Sequence, residues 1–295
     1  MIVSTAFPAF LPAPNRAAVM AKLRRLLQGH DGLHNRLHAD PLSFGLPALD
    51  SHLREGGLAR GALHEIVPAA QAAFPAAFGF LVAIFARLSS PCSAAFKKSG
   101  ATGAAYPSFP QRGRKPLLLV MPASQCSRLS GHLSGYLSGH GLNGLGFDPS
   151  RALLVEAAHR KEILWALVEA LRSDAPQAVA GAIGRLDLKT SQKLHLAATD
   201  AGLPLFLLRP TQTLESSAAA TRWRVGTAQA ARDRFGLYAR PRWRLQLERC
   251  RNGRPGEWVV EYDHVTHRFS LVAALADPSL SCGAGEQSRR QAGRS

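Results

Sequence analysis

The sequence predicts an α/β fold in which a mostly parallel sheet is flanked by helices and followed by a C-terminal β-hairpin. Short apolar runs of strand length alternate with helical segments, which is the pattern of parallel α/β sheets. A glycine turn at Gly56–Gly57 precedes the first predicted strand, and strict alternation of apolar and polar side chains begins at Arg222. A chain of 295 residues, 46% of them hydrophobic, accommodates one large domain or a core with a smaller appendage.

Continuous apolar runs locate the strands of the core. Leu117–Met121 is such a run, as expected for a strand buried on both faces of a parallel sheet, and Leu63–Val67 is a short strand candidate. Ala76–Leu88 is apolar all round, which indicates a buried helix, and Pro75 is tolerated in its first turn. Further strands are predicted at 152–155, 178–183 (the weakest) and 205–208, and further helices at 159–172 and 190–201. Gly202 is placed to cap the last helix.

The C-terminal part of the chain predicts a β-hairpin with one apolar and one polar face. The apolar set is Trp243, Leu245 and Leu247, and the polar set is Arg242, Arg244, Gln246 and Glu248. Asn252–Gly253 then supplies the chemistry of a tight turn, and the alternation resumes at Trp258.

Composition divides the chain into four predicted regions. These are an N-terminal tail with a basic amphipathic helix (1–40), a core (41–212) that contains a flexible basic loop (94–116), a basic C-terminal β region (213–275) and a disordered polar tail (276–295). Leu129–His140 repeats Leu-Ser-Gly-x three times. Its glycines cost about 1 kcal/mol each in a helix, so a surface segment is at least as well supported as a helix.

Several classes of protein are disfavoured by the composition. The four cysteines form no C-x-x-C pair, which argues against framework disulfides and a cysteine-rich zinc site. Apolar runs such as Ala76–Ala86 are too short and too rich in glycine and alanine to span a bilayer, and the N-terminus lacks the pattern of a secretory signal. We therefore expect a cytoplasmic protein without a membrane partner.

The charge of the chain favours an anionic partner. The formal net charge is +16, and such a charge attracts polyanions, of which nucleic acid is the commonest in a cytoplasm. The plainer alternative is a GC-rich genome that favours arginine throughout. Clustering of the charge favours a nucleic-acid or acidic-partner role.

The cluster of positive charge lies between Arg222 and Arg254. This segment contains ten arginines but only two acidic residues, and tryptophans are interleaved among them. Guanidinium groups bind phosphate oxygens bidentately, and exposed indoles stack on bases. The alternative is that the tryptophans are core residues and the arginines are merely solvated. The candidate DNA- or partner-binding residues are Arg222, Arg224, Arg240, Arg242, Arg244, Arg249, Arg251, Arg254 and Trp258.

The residues of an ATP site are missing where the core would place them. A phosphate-binding loop needs glycines, a lysine and a hydroxyl, but residues 68–78 contain none of these. Asp187 lies three residues past a predicted strand. Glu156 follows another strand directly, but a capping or solvated acid is the better interpretation of Glu156. The spacing of His30, His34 and His38 permits a metal site, but Gly32 interrupts that helix and favours a solvated basic segment. We therefore expect no metal, no cofactor and no catalytic residues.

Three motifs resemble known families. They are Gly56-Gly57-Leu58-x-Arg60-Gly61-x-Leu63-x-Glu65-Ile66, Lys193-Leu194-x-Leu196-Ala197-Ala198-x-x-Ala201-Gly202-x-Pro204, and Pro241-Arg242-Trp243-Arg244-Leu245-x-Leu247-x-Arg249-Cys250-Arg251-x-Gly253-Arg254-Pro255-Gly256-x-Trp258-x-x-Glu261. The first resembles the entry to the ATPase core of RecA, and the second is similar to both RecA and the ImuA family. The third resembles the C-terminal region of the ImuA family, the RecA-like accessory factors of bacterial damage-induced mutagenesis. The resemblance covers about residues 41 to 275.

The resemblance implies a RecA-like, P-loop-type core and a role in SOS-induced, error-prone translesion synthesis. The implied partners are an ImuB-type Y-family polymerase homologue and a DnaE-type error-prone polymerase, with single-stranded DNA as a further candidate. Comparison with RecA places Phe74 and Pro75 where the phosphate-loop lysine and hydroxyl would stand, so the ATPase core is expected to be degenerate and non-catalytic. Two alternatives stay open: a SulA-like cell-division inhibitor that acts by protein binding, and a true ATPase with a non-standard loop.

Overall fold

The computed structural model of the protein describes residues 40–89, 115–122, 139–173, 175–212, 215–230, 235–236 and 240–272. The predicted N-terminal helix, the C-terminal tail, and most of the basic loop and of the Leu-Ser-Gly repeat lie outside these residues.

Within the described residues, nine strands form one mixed sheet in the order β3-β2-β4-β5-β1-β6-β7-β8-β9. They are β1 (Leu63–Pro68), β2 (Leu117–Pro122), β3 (Ala152–Ala157), β4 (Ala178–Ala182), β5 (Leu205–Leu208), β6 (Thr221–Thr227), β7 (Arg242–Cys250), β8 (Gly256–Asp263) and β9 (Arg268–Leu271). The first six strands in this order are parallel, and β6 to β9 form an antiparallel meander. The predicted α/β class with a mostly parallel sheet is confirmed, and the predicted hairpin is β7–β8.

The helices are α1 (Pro47–Asp50), α2 (Phe74–Ser89), α3 (Gly139–Gly144), α4 (Arg160–Arg172) and α5 (Leu188–Ala201). Short 3-10 turns occur at Arg54–Gly56, Gln71–Ala73 and Pro149–Arg151. Gly202 ends α5 with a left-handed φ of 65°, as predicted. The stretch Gln71–Leu88 is long and apolar enough to cross a membrane, but two thirds of it is buried inside the fold, as in a core helix of a globular domain.

The two faces of the sheet are covered differently. On one face, α2 packs against β1, β5 and β6, and its core continues under β7, β8 and β9. On the other face, α4 packs against β2, β3 and β4, and α5 packs against β1. Among the described helices, none covers β6 to β9 on this second face. The antiparallel part of the sheet, which we call the wing, therefore has one buried and one open face.

Strand β4 is fully buried at the centre of the parallel strands, although its sequence, rich in alanine and glycine, predicted the weakest strand. The reason is the close approach of α4. A Cβ built on Gly181 would lie 2.9 Å from a methyl group of Leu167, so a larger residue would push the helix away. Packing in three dimensions thus outweighs the low β-propensity of these residues.

Aromatic side chains fill the core beneath the wing. Trp223 and Trp243 are 1% and 4% exposed, and both rings contact Phe80 of α2. These two tryptophans are therefore core residues, as the alternative interpretation of the basic segment held, and neither ring is accessible to a base.

A buried histidine of β1 forms a hydrogen bond to the neighbouring strand β6. Trp223 Nε1 donates to Thr221 Oγ1 at 3.0 Å, and the hydroxyl lies 2.8 Å from Nδ1 of His64. Nε2 of His64 lies 2.8 Å from the carbonyl oxygen of Ala59. Since a carbonyl only accepts, Nε2 carries the proton and Nδ1 accepts from Thr221. Burial lowers the pKa of His64 from 6.5 to about 4, so the ring is neutral at physiological pH.

Acid should destabilise the fold through His64. The unfolded chain binds a proton near pH 6.5 and the folded chain only near pH 4, so stability is lost as the pH falls between these values. The loss should reach about 3 kcal/mol, the equivalent of the difference in pKa. Urea unfolding at a series of pH values measures it. The His64→Gln variant should lack this part of the pH dependence, and an unchanged profile in that variant would contradict the assignment.

Candidate functional site

The open face of the wing carries most of the predicted arginines. Arg222 and Arg224 extend from β6, and Arg242 and Arg244 extend from β7, on the face that α4 and α5 leave uncovered. Alternation places these side chains opposite Trp223 and Trp243. Trp258 lies on the other face, where it packs edge-on against His52 with ring centroids 5.0 Å apart. The structure therefore separates Trp258 from the arginines with which the sequence grouped it.

Four of these arginines form a ladder of ion pairs with carboxylates. We call Arg224, Arg240, Arg242 and Arg244 the arginine ladder. Its ion pairs are Arg224–Glu248, Arg240–Glu261 at 3.2 Å, Arg240–Asp263 at 3.1 Å, Arg242–Glu261 at 2.7 Å and Arg244–Glu257 at 3.8 Å. Most of the carboxylates come from β8, beyond the sequence window in which the arginines are concentrated. The charge cluster of the sequence is thus largely neutralised across neighbouring strands.

Three of the four remaining predicted arginines behave differently. We call Arg249, Arg251 and Arg254, at the end of β7 and in the following turn, the basic turn. Within the described part of the chain, none of the three forms an ion pair with a carboxylate. Arg249 donates to the carbonyl oxygen of Ser217, Arg251 donates to that of Ala218 at 3.3 Å, and the exposed side chain of Arg254 has no partner among the described residues.

The basic turn is held rigidly against the body of the protein. The backbone N–H of Arg254 donates to the carbonyl oxygen of His52 at 3.0 Å, and Nδ1 of His52 lies 2.9 Å from the carbonyl oxygen of Pro255. A Cβ on Gly253 would lie 2.3 Å from the oxygen of His52, so only glycine fits there. The glycines of the C-terminal motif therefore serve close packing of the turn.

A buried ion cluster joins the wing to the parallel strands. Glu65 of β1 is fully buried, and its carboxylate lies 2.8 Å from Nε of Arg222 on β6 and 3.5 Å from Nε of Arg209 after β5. Arg209 is fully buried too, and it pairs with Glu215 at 2.7 Å and donates to the carbonyl oxygen of Gly184. Burial lowers the pKa of Arg209, and the carboxylates of Glu65 and Glu215 oppose that shift. Arg222 is thus committed to a structural contact.

Sequence reasoning did not identify Glu65, Arg209 or Glu215 as a cluster. The available signal was a glutamate in the middle of the apolar run Leu63–Val67, because a carboxylate is buried only when it is paired. The partner Arg209 follows β5 directly, but which arginine meets Glu65 depends on the strand order.

The loop between β1 and α2 connects a central parallel strand to the helix that follows it. Its residues Ala69–Ala72 are exposed, Phe74 is half-buried, and Pro75 is exposed in the first turn of α2. Glu156 is exposed at the end of β3, four strand positions from β1, or about 19 Å at the usual strand spacing.

Asp187 caps α5. Its carboxylate accepts from the backbone N–H and the hydroxyl of Thr190, which together lower the pKa of the carboxyl group. Among the described residues, no group of three or more histidine, cysteine, aspartate or glutamate side chains is arranged to hold a metal ion. His30, His34 and His38 lie outside the described residues.

Removing the carboxylate of Glu65 should destabilise the protein strongly. In Glu65→Gln, the buried Arg209 and the largely buried Arg222 lose their shared counter-charge, which typically costs about 3 kcal/mol or more. The matched control is Glu257→Gln, because Glu257 is an exposed glutamate 3.8 Å from an exposed arginine and should change stability by less than about 0.5 kcal/mol. Urea unfolding of both variants tests this. Equal stabilities would mean that the buried cluster does not join the two parts of the sheet.

Comparison with known proteins identifies the family. No family profile matches the chain. Protein ImuA of Caulobacter vibrioides is 32% identical over 267 residues, which cover 84% of this chain and 95% of that protein. Its counterpart in a second strain of the same species matches to the same extent. With identity at this level over nearly the whole length of the relative, the chain belongs to the ImuA family.

Proposed function

We propose that this protein is a non-catalytic accessory factor in damage-induced, error-prone translesion DNA synthesis. Membership of the ImuA family carries the proposal, because the identity extends over 84% of the chain. In this proposal the protein acts in the cytoplasm, on a RecA-like core, and bridges an ImuB-type Y-family polymerase homologue and a DnaE-type polymerase on damaged DNA.

The chemistry of the loop between β1 and α2 supports a non-catalytic role. A phosphate-binding loop surrounds the phosphates with backbone N–H groups at the start of a helix. Pro75 has no N–H to offer in the first turn of α2, and the preceding loop has no lysine or hydroxyl. A loop of this composition lacks the groups that hold ATP and its metal ion.

The open face of the wing supports a binding role. The face is wide, polar and uncovered by the described helices, so its side chains are accessible to a partner. Arg240 and Arg244 keep side-chain exposures of 48% and 66% despite their ion pairs. Exposed pairs of this kind are weak, so the side chains of a polymerase surface can rearrange them at small cost.

Capture of partners tests the proposal directly. The full chain carrying an affinity tag should retain an ImuB-type and a DnaE-type polymerase from cells exposed to a DNA-damaging agent. A strain that lacks the gene should lose damage-induced mutations. Capture of no polymerase, together with filamentation of cells that overproduce the protein, would overturn the proposal and favour a cell-division inhibitor.

The purified protein should not turn over ATP, because the loop that follows β1 has no lysine or hydroxyl. Turnover can be followed by phosphate release, with Glu156→Gln and Glu55→Gln as a matched pair of exposed glutamate variants. Turnover in the wild type that Glu156→Gln abolishes and Glu55→Gln retains would contradict the proposal and indicate an ATPase with a non-standard loop.

A further inference from the structure

We propose that the basic turn, rather than the arginine ladder, binds the phosphodiester backbone of single-stranded DNA. The inference rests on the proposed function, in which the protein works on damaged DNA. It assigns the contact to Arg249, Arg251 and Arg254, three of the eight arginines that the sequence grouped together.

The arginine ladder is poorly suited to attract phosphate. Each of its guanidinium groups already has a carboxylate at ion-pair distance, as in Arg242–Glu261 at 2.7 Å. A phosphate that approaches this surface meets the field of the carboxylates as well as that of the arginines. Binding there requires displacement of a carboxylate, which then lies beside the phosphate as a like charge.

The basic turn carries positive charge without that compensation. Within the described residues, its three guanidinium groups contact carbonyl oxygens, the Nε2 atom of His195 (3.4 Å from Arg251), or no partner, and no carboxylate pairs with them. A guanidinium group has five N–H donors, and the contacts of Arg249 and Arg251 use only one or two of these. The remaining donors are available to phosphate oxygens.

The geometry of the basic turn is pre-organised for an anion. Arg249 and Arg251 donate to the consecutive carbonyl groups of Ser217 and Ala218, so the same short segment holds both guanidinium groups. The backbone of the turn is fixed by its contacts with His52. A site that is ordered before binding loses little conformational entropy when the ligand arrives.

The surroundings of the turn favour a phosphodiester over an acidic protein. Protein interfaces are usually centred on buried aromatic or aliphatic side chains. The exposed large hydrophobic residues of the described structure are Leu154, Leu188, Leu196, Phe235, Val265 and Leu271. None lies on β7 or in its turn. Contacts made only by guanidinium groups suit a repeating phosphate and carry no base specificity.

Binding of a fluorescent oligo-dT strand to the full chain across a salt series tests the inference. Each phosphate contact on a single strand contributes about 0.7 to the slope of log K against log salt, so Arg251→Ala/Arg254→Ala should lower the slope by about 1.4. Arg254→Ala alone should lower it by about 0.7. Because the side chain of Arg254 has no partner among the described residues, this variant should fold as the wild type does.

Two further double variants remove the same charge elsewhere. Arg240→Ala/Arg244→Ala removes part of the arginine ladder, and Arg54→Ala/Arg160→Ala removes two arginines that are paired with carboxylates far from β7 in the sequence. Both should lower the slope by less than half the effect of the basic-turn variant. The inference would be overturned if the ladder variant lowered the slope as much as the basic-turn variant does. It would also be overturned if all three double variants lowered the slope equally.

Measurements on the wild type separate this inference from the proposed function and from a general affinity for anions. If the wild type binds no oligo-dT at low salt but still captures the polymerases, the inference fails and the proposed function stands. If polyglutamate competes with oligo-dT at equal charge concentration, the basic turn is a general anion site for acidic protein segments, and the assignment to phosphodiester fails. If unlabelled oligo-dT displaces the fluorescent strand and polyglutamate does not, the inference is supported.

Discussion

The structure depends on the compensation of one buried charge, the carboxylate of Glu65. Its two partners come from different parts of the sheet, Arg209 from the end of β5 and Arg222 from β6. A buried carboxylate is stable only while both guanidinium groups remain in place, so the cluster fixes β6 beside β1 in a single register. Strands β7, β8 and β9 are added in turn to β6, and they take their positions from it.

The unequal covering of the sheet determines what its wing can do. Because α2 and the aromatic core lie on one face only, the opposite face of β6 to β9 carries mostly charged and polar side chains. On that face, distance from β8 divides the arginines into two groups. Those opposite β8 meet its carboxylates, whereas those at the end of β7 pass beyond its acidic residues and keep their charge. The difference in charge compensation thus follows from the register of two neighbouring strands, because β8 begins opposite Leu247 of β7.

The sequence predicts those features that depend on neighbours along the chain. β2 and β5 are continuous apolar runs, β1 and β3 are mostly apolar, α2 is apolar all round, and the β7–β8 hairpin alternates, so each was predicted close to its observed bounds. Features that depend on distant partners were not predictable. β6 and β9 become strands through pairing, the centrality of β4 depends on Leu167, and the partners of Glu65 depend on strand order. At the candidate site the arginines were evident from the sequence. The sequence did not show that carboxylates of β8 would neutralise most of the ladder arginines.

The position of β1 at the centre of the sheet has a consequence for the synthesis of the protein. His64 of β1 bonds to Thr221, 157 residues later in the chain, and β5 and β6 are both made long after β1. At 5 to 20 residues per second, translation needs about 8 to 30 seconds to bridge that interval. Until then α2, which follows β1 directly, is present without β5 and β6, two of the strands that bury it. We therefore expect the nascent chain to depend on chaperones that shield this apolar helix on the ribosome.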